Sequence, residues 1–254
     1  MTLQPNRASF DLSSLSSDLG DLGLPARLRR IRDVVPGTLT FTTSFGLEDQ
    51  ALTHAIVDAG IRVSFATLDT GRLFDETLEV WAETELLYGI GIKAFAPADI
   101  AVEDLLRSQG PLGFRRSLQA RQDCCAVRKV EPLGRALAGS AGWLTGLRAD
   151  QSRARADTPF VSNDAGRPIL KISPLADWSR DEVASYVARN AVPYNSLHDR
   201  GFLSIGCAPC TRAVHAGEDE RAGRWWWEAE SKKECGLHNR PQSTSLAALL
   251  AAQG

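Results

Sequence analysis

The sequence predicts an α/β protein: a parallel, twisted sheet with helices on both faces, followed by a C-terminal arm. Short runs rich in β-branched and aromatic residues alternate with longer helical stretches, and parallel strands need such crossovers. Turn residues close each run, as in Ser44-Phe45-Gly46-Leu47 and Asp69-Thr70-Gly71. With 254 residues and 43% apolar composition, the chain can bury the core of one large domain.

Residues 1–25, rich in Ser, Asp and Leu without sustained periodicity, read as a loose or partly helical lead-in to an α/β domain over 26–203 and an arm over 204–254. The first strand is Leu39 to Thr43, and a helix from Glu48 to Asp58 places Glu48 and Asp49 where the helix dipole favours negative charge. A second strand, Arg62 to Leu68, precedes a helix from Leu73 to Tyr88. A third, Gly91 to Ala96, precedes a helix from Ala98 to Ser108. After a helical segment beginning near Cys124 comes a strand over Gly142 to Leu147. Residues 158–173 read as a hairpin around Asn163-Asp164-Ala165-Gly166, with Pro168 marking an edge. Ser179 and Glu182 form a capping box for a helix to Asn190. Ligands of such sheets bind beyond the carboxyl ends of the strands, where SFGLED, LDTG and TGLR fall.

No apolar run is long enough to span a membrane, and the first residues lack the basic-then-apolar pattern of a secretory signal, so a cytoplasmic, membrane-free protein is expected. Five cysteines in an unexported chain argue for metal binding or thiol chemistry over a disulfide framework. A net charge of −2 and pI near 6.1 give no reason to expect nucleic acid as a partner. Basic residues nevertheless gather around the later motifs (Arg148, Arg153, Arg155, Arg212, Arg221, Arg224, Lys232, Lys233), which suits a small polyanion such as a nucleotide. The sequence leaves a homo-oligomer open.

The Ser44–Asp49 turn joins a strand to a helix, where backbone N–H groups attract an anion, although no GxxxxGK[ST] phosphate loop occurs. Asp69, at a strand end, either accepts from a ribose or adenine donor or caps the next helix. Cys124-Cys125 and Cys207-Ala208-Pro209-Cys210 together offer four thiolates, enough for tetrahedral zinc or an iron–sulfur cluster. Adjacent cysteines on a helix splay by about 100°, easier to reconcile with two corners of a cubane than with one small ion. If four cysteines serve that site, Cys235 is left without a partner in the chain. Lys232 and Lys233 beside it favour the thiolate, and His238 follows three positions on. The arm between Cys210 and Cys235 is then expected to move, bringing its far end to the nucleotide. Trp225-Trp226-Trp227 reads as packing of the arm before docking of a partner, and His54 and His198 as structural.

Taken together, SFGLEDQ, LDTGRLF, CCAVRKVEPL, TGLRADQSRAR, WSRDEV, PYNSLHDRGFLSIGCAPCTRA and ECGLH, in that order, resemble the assimilatory sulfonucleotide reductases, in the branch acting on adenosine 5′-phosphosulfate (APS). The resemblance implies an adenine nucleotide alpha hydrolase-like sheet, a [4Fe–4S] cluster on Cys124, Cys125, Cys207 and Cys210, Cys235 as nucleophile, and thioredoxin as reductant. It further implies Lys129 between cluster and substrate, and Arg148, Arg221, Arg224 and His238 on the phosphosulfate. Thr43, Ser44, Gly46 and Asp49 match its nucleotide loop, and Leu68 and Asp69 its adenosine side. SFGLED departs from the SFSGAED of many members and is similar to the branch that reduces 3′-phosphoadenosine 5′-phosphosulfate, which lacks the cluster cysteines. An ATP-using thiolation enzyme on the same sheet and a zinc-stabilised binding module are the competing classes.

Overall fold

The computed structural model describes residues 11–228, 237 and 238. At its centre lies β1 (Leu39–Thr43), where Leu39, Thr40, Phe41 and Thr43 are all buried. A strand covered on both faces carries such a continuous run instead of alternation. β1 pairs in parallel with β2 (Ser64–Thr67) on one side, Phe41 opposite Phe65, and with β4 (Gly142–Leu144) on the other, Phe41 opposite Leu144. β3 (Lys93–Ala94) extends the β2 side; β6 (Leu170–Ile172) lies beside β4, with β5 (Val161–Asn163) antiparallel at that edge. The order β3-β2-β1-β4-β6-β5 reverses direction at β1, so the sheet is mostly parallel with one antiparallel edge.

The crossovers to β2 and β3 carry α3 (Leu47–Asp58) and α4 (Asp75–Tyr88), which pack on the face presented by Phe41 and Phe65. The return from β3 to β4 carries α5 (Asp99–Gln109), α6 (Leu118–Cys125) and α7 (Glu131–Ala136) across the other. α8 (Arg180–Arg189) packs on α3, and its capping box forms as expected: Glu182 N–H donates to Ser179 Oγ, and Ser179 N–H to Glu182 Oε2. No helix among the described residues is long and apolar enough to cross a membrane.

Three elements differ from the sequence expectation. Where a loose or partly helical lead-in was expected, residues 12–34 are mostly helical, in α1 (Leu12–Gly20) and α2 (Leu24–Val34), which add Leu15, Leu19, Leu28 and Ile31 to the core around Phe41, Leu52 and Leu144. Asp11 caps α1 by accepting from Ser13 and Ser14 N–H, and Pro25 sits in the first turn of α2. Their apolar stripes are too short to show as one period, because the Asp21–Gly23 turn resets the phase. Second, β3 shrinks to two residues, an edge carrying an exposed Lys93. Third, Cys124 does not begin a helix: α6 ends on Cys124-Cys125 and passes through a π-helical turn, Ala126–Val130, into α7.

Arg27 fastens the N-terminal helices to the sheet. The guanidinium is 2% exposed, donates to Leu19 O and Pro174 O, pairs bidentately with Asp177 and covers the Phe160 ring. Arg27→Ala leaves two carbonyls without their donor, so a loss of about 3 kcal/mol in unfolding free energy is expected in urea. Arg27→Lys should recover only part, lacking the planar fork. Wild-type stability in the alanine variant would refute the role.

Candidate functional site

A cavity of about 190 Å³ opens beyond the carboxyl ends of β1, β2 and β4, at the point where the strand order reverses. The loop after β1 forms one wall. Thr43 Oγ1 accepts from Phe45 N–H at 3.0 Å, and Phe45 takes the left-handed conformation (φ 59°), which directs its buried ring onto Trp81. Asp49, in the first turn of α3, reaches back to accept from Ser44 N–H at 2.6 Å and Ser44 Oγ at 2.8 Å. Gly146, beyond β4, packs against that carboxylate: a Cβ there would lie 2.3 Å from Asp49 Oδ1. TGLR therefore needs its glycine to let the two strand ends approach.

Thr43, Ser44, Gly46, Asp49, Leu68, Lys129, Arg221, Arg224 and His238 all line this cavity, as a nucleotide site requires. Asp69 does not: its Oδ1 accepts from Gly71 N–H at 2.9 Å and closes the turn after β2. Arg148 does not line it either. Its guanidinium is fully buried and bound to Glu48 (2.9 Å), Asp150 (3.2 Å) and Glu220 (2.8 Å), so its charge is spent on protein carboxylates. Burial pushes the Glu48 carboxyl up, but the Arg148 charge together with hydrogen bonds from its own backbone, Gln151 and Arg148 holds Glu48 below its ordinary value.

His238 stacks on Trp143 with ring centroids 5.3 Å apart, while Trp143 Nε1 donates to Thr42 Oγ1. Burial, then the charges of Lys171, Arg155, Arg221 and Lys129, hold the His238 imidazole well below its usual value, so it is neutral amid four cations. Lys171 and Arg155 were not among the expected substrate residues; Lys171 Nζ donates to His238 O. Such a cluster of cations about an uncharged ring gives this part of the cavity a positive potential that favours an anion. Cys235, Lys232 and Lys233 lie outside the described residues.

The four remaining cysteines line a second, smaller cavity with Arg72, Arg121, Arg128, Lys129, Arg224 and Trp225. Cys124 packs with Leu105 and Phe114, and Cys125 with Trp225, the splay expected of neighbours on a helix, and both groups include Cys210. Cys207 Sγ lies 3.4 Å from Thr70 Oγ1, Arg128 hydrogen-bonds Cys124, and Arg121 hydrogen-bonds Cys125. Burial pushes Cys124 up and Cys210 to about 11, while Arg72 and Arg128 pull on the first and Lys129 and Arg224 on the second. Donors and cations aimed at sulfur are what a thiolate-ligated cluster needs, so the residues fit such a group. As the side chains stand, no three His, Cys, Asp or Glu among the described residues form a metal-ion site. Lys129, Cys207, Arg224 and Trp225 line both cavities, and Lys129 stands on the π-helical turn.

The arm was expected to be mobile beyond Cys210, yet through residue 228 it is docked. Thr211 bridges Arg224, and Trp225 N–H donates to Cys210 O. Glu220 meets Arg148, and Glu228 forms a buried bidentate pair with Arg121. A Cβ on Gly206 would lie 2.2 Å from Arg224 Nη2, so SIGC needs glycine to seat that guanidinium. Trp225 is buried and Trp226 exposed, so the tryptophan run packs the arm chiefly through its first ring.

Residues 38–213 match the family model of the phosphoadenosine phosphosulfate reductase domain. The chain is 48% identical to an adenosine 5′-phosphosulfate reductase of Agrobacterium fabrum over 94% of its length and 91% of that protein's. It is 52% identical to one of Allochromatium vinosum, over 80% of this chain and 79% of that one. Among solved structures, a phosphoadenylyl-sulfate (PAPS) reductase from Candida auris superposes with a TM-score of 0.66 at 27% identity, covering 84% of this chain and 99% of that one.

Burial raises Asp49 from 3.8 to about 6 against the hydrogen bonds from Ser44. A folded-state value above the unfolded one means the stability it contributes is present below about pH 4 and is lost as pH rises through about 6. Urea unfolding across this interval should show wild type falling relative to Asp49→Asn. A difference independent of pH would mean that Asp49 titrates normally.

Proposed function

The chain belongs to the phosphoadenosine phosphosulfate reductase family, and we propose that it reduces APS to sulfite and AMP, with Cys235 as nucleophile and a thioredoxin dithiol as reductant. It is an oxidoreductase acting on sulfur, in sulfate assimilation. The observation that carries the reading is the shared wall between the strand-end cavity, ringed by Lys129, Arg155, Lys171 and Arg221 around His238, and the cavity of four thiols. A cytoplasmic location, where thiols stay reduced, agrees with Cys124, Cys125, Cys207 and Cys210 standing as thiols.

In this reading the Ser44–Gly46 turn, held by Asp49, presents backbone donors to the nucleotide, and Leu68 borders the adenosine. Lys129, Arg221 and Arg224 hold the phosphosulfate, and His238, uncharged on Trp143, orients it. The Cys235 thiolate attacks sulfur, an S–S bond forms, and the S–O bond breaks with its electron pair leaving on the phosphate of AMP. The cations offset the repulsion between an anionic nucleophile and an anionic substrate, and the charge left on AMP. A thioredoxin thiol then attacks Cys235 Sγ, expelling sulfite. The second thioredoxin thiol resolves the mixed disulfide, so the dithiol is oxidised and the sulfur gains two electrons. Cys124, Cys125, Cys207 and Cys210 would hold a [4Fe–4S] cluster, which when bound supplies a covalent cross-link between α6 and the arm.

The SFGLED loop and the PAPS reductase likeness favour a second reading, in which the 3′-phosphorylated nucleotide is also used. Steady-state rates with the two sulfonucleotides separate them: a strong preference for the 3′-phosphorylated one would refute APS as substrate. Cys235→Ser should abolish the sulfur-labelled covalent adduct while retaining about four iron and four sulfide per chain. Loss of the iron in that variant, or an adduct that persists, would reverse the division of labour among the cysteines.

A further inference from the structure

His198, one of the residues lining the cavity, carries a buried hydrogen-bonding atom without a partner among the described residues. Its ring lines the strand-end cavity from the short helical turn Ser196–Arg200. Nδ1 lies 2.8 Å from Phe202 O. A carbonyl only accepts, so Nδ1 carries the proton and Nε2 of the neutral ring is left as a lone pair. That Nε2 is buried and has no hydrogen-bond partner among the described residues. Burial, then the charge of Arg180, lower the imidazole's affinity for a second proton, which keeps Nε2 an acceptor near neutral pH. An unpaired buried acceptor in a native protein calls for an explanation.

The ring is also held in place. Asn195 Oδ1 accepts from Leu197 N–H and Asn195 Nδ2 donates to Thr77 Oγ1, both at 3.0 Å. Phe202, whose carbonyl fixes the ring, stacks edge-on against Phe74. Such a fixed acceptor is organised before any ligand arrives. Glu48 and Glu220 line the same cavity, and the Glu48 charge acts on His198. All three residues carry acceptor atoms, those of Glu48 and Glu220 already shared with Arg148 and, for Glu220, with Arg180, in contrast to the exclusively cationic set around His238. Phosphate and sulfate oxygens offer no protons to such a surface, whereas the two hydroxyls of a ribose do. Acidic side chains that take a ribose hydroxyl are the usual means by which nucleotide-binding sheets select a sugar without a phosphate on it.

We propose that His198 Nε2 accepts a hydrogen bond from a ribose hydroxyl of the bound nucleotide and, with Glu48 and Glu220, disfavours a phosphate on that sugar. This rests on the sulfonucleotide reading of the cavity. It assigns to His198 a binding role and to the cavity a polarity: cations for the phosphosulfate, acceptors for the sugar.

His198→Asn tests it, because the introduced amide can still donate to Phe202 O while Nε2 is deleted. Calorimetry on the full-length, iron-loaded protein would use AMP, 2′-deoxy-AMP, 3′-deoxy-AMP and adenosine 3′,5′-bisphosphate. AMP should bind His198→Asn about tenfold more weakly than wild type, the scale of one hydrogen bond. One of the two deoxy nucleotides should bind both proteins alike, which names the hydroxyl. Wild type should prefer AMP to the bisphosphate, and the variant should prefer it less. Should His198→Asn fail to fold, the wild-type series suffices, since equal affinity for AMP and both deoxy nucleotides overturns the proposal. An equal loss for all three nucleotides in the variant overturns it too. APS turnover by wild type with affinities indifferent to the ribose hydroxyls would remove the His198 assignment alone; absence of turnover would remove the reading beneath it.

Discussion

A fully buried guanidinium shared by three carboxylates organises the strand-end cavity. Arg148 follows β4, Glu48 opens α3, Asp150 lies two residues beyond Arg148, and Glu220 comes from the arm. Removing a charge from water is costly, and a buried cation is tolerated only where its partners are fixed around it. The loop after β1, the turn after β4 and the arm are therefore held to one another by a single requirement for neutrality. Arg180 extends the set, contacting Glu220 at 3.4 Å and donating to Leu203 O. Losing any one carboxylate would leave the others to share the charge, so the cavity's walls are coupled even though they come from distant parts of the chain.

A second anchor works at the other side of the arm. Arg121 and Glu228 form a buried bidentate pair, with the Arg121 guanidinium over the Trp225 ring. Between the two anchors the arm bridges itself and brings Arg221 and Arg224 over the cavity. The cationic region at His238 and the acceptor region at His198 thus lie in one cavity, and the Arg148 salt bridges that close it share Glu48 and Glu220 with the acceptor region.

Much of this was legible in the sequence. LTFTT, rich in β-branched and aromatic residues, and the turn SFGLED marked the central strand and the first helix almost to the residue. The Ser179–Glu182 capping box was readable because both of its hydrogen bonds are local. The two cysteine pairs offered four thiols to a single site, and the fold lines one small cavity with all four. Local patterns failed where the meaning of a residue depends on a distant partner. The resemblance implied Arg148 as a ligand for phosphosulfate, and what it could not show is that Glu48 and Glu220 pair with that guanidinium. His198 looked structural, and one ring nitrogen is; its other nitrogen matters only because Phe202 returns its carbonyl to the first. Lys171 carried no signal, being one residue of a short edge-side strand, until His238 was seen beside it.

The π-helical turn at Ala126–Val130 has a consequence for how this segment can change over time. Such a turn accommodates a residue more than an α-helix would, and Cys124 and Cys125 lie immediately before it while Lys129 lies within it. Deleting one residue would let the segment relax into regular helix with its flanks in nearly the same phase, so the residues within the turn, Lys129 among them, would be the ones to shift relative to Cys124 and Cys125. The thiols and the lysine would then no longer point to a common wall. Substitutions along the segment leave the register untouched, whereas a single codon lost or gained would break it; the length of this stretch is under tighter constraint than its composition.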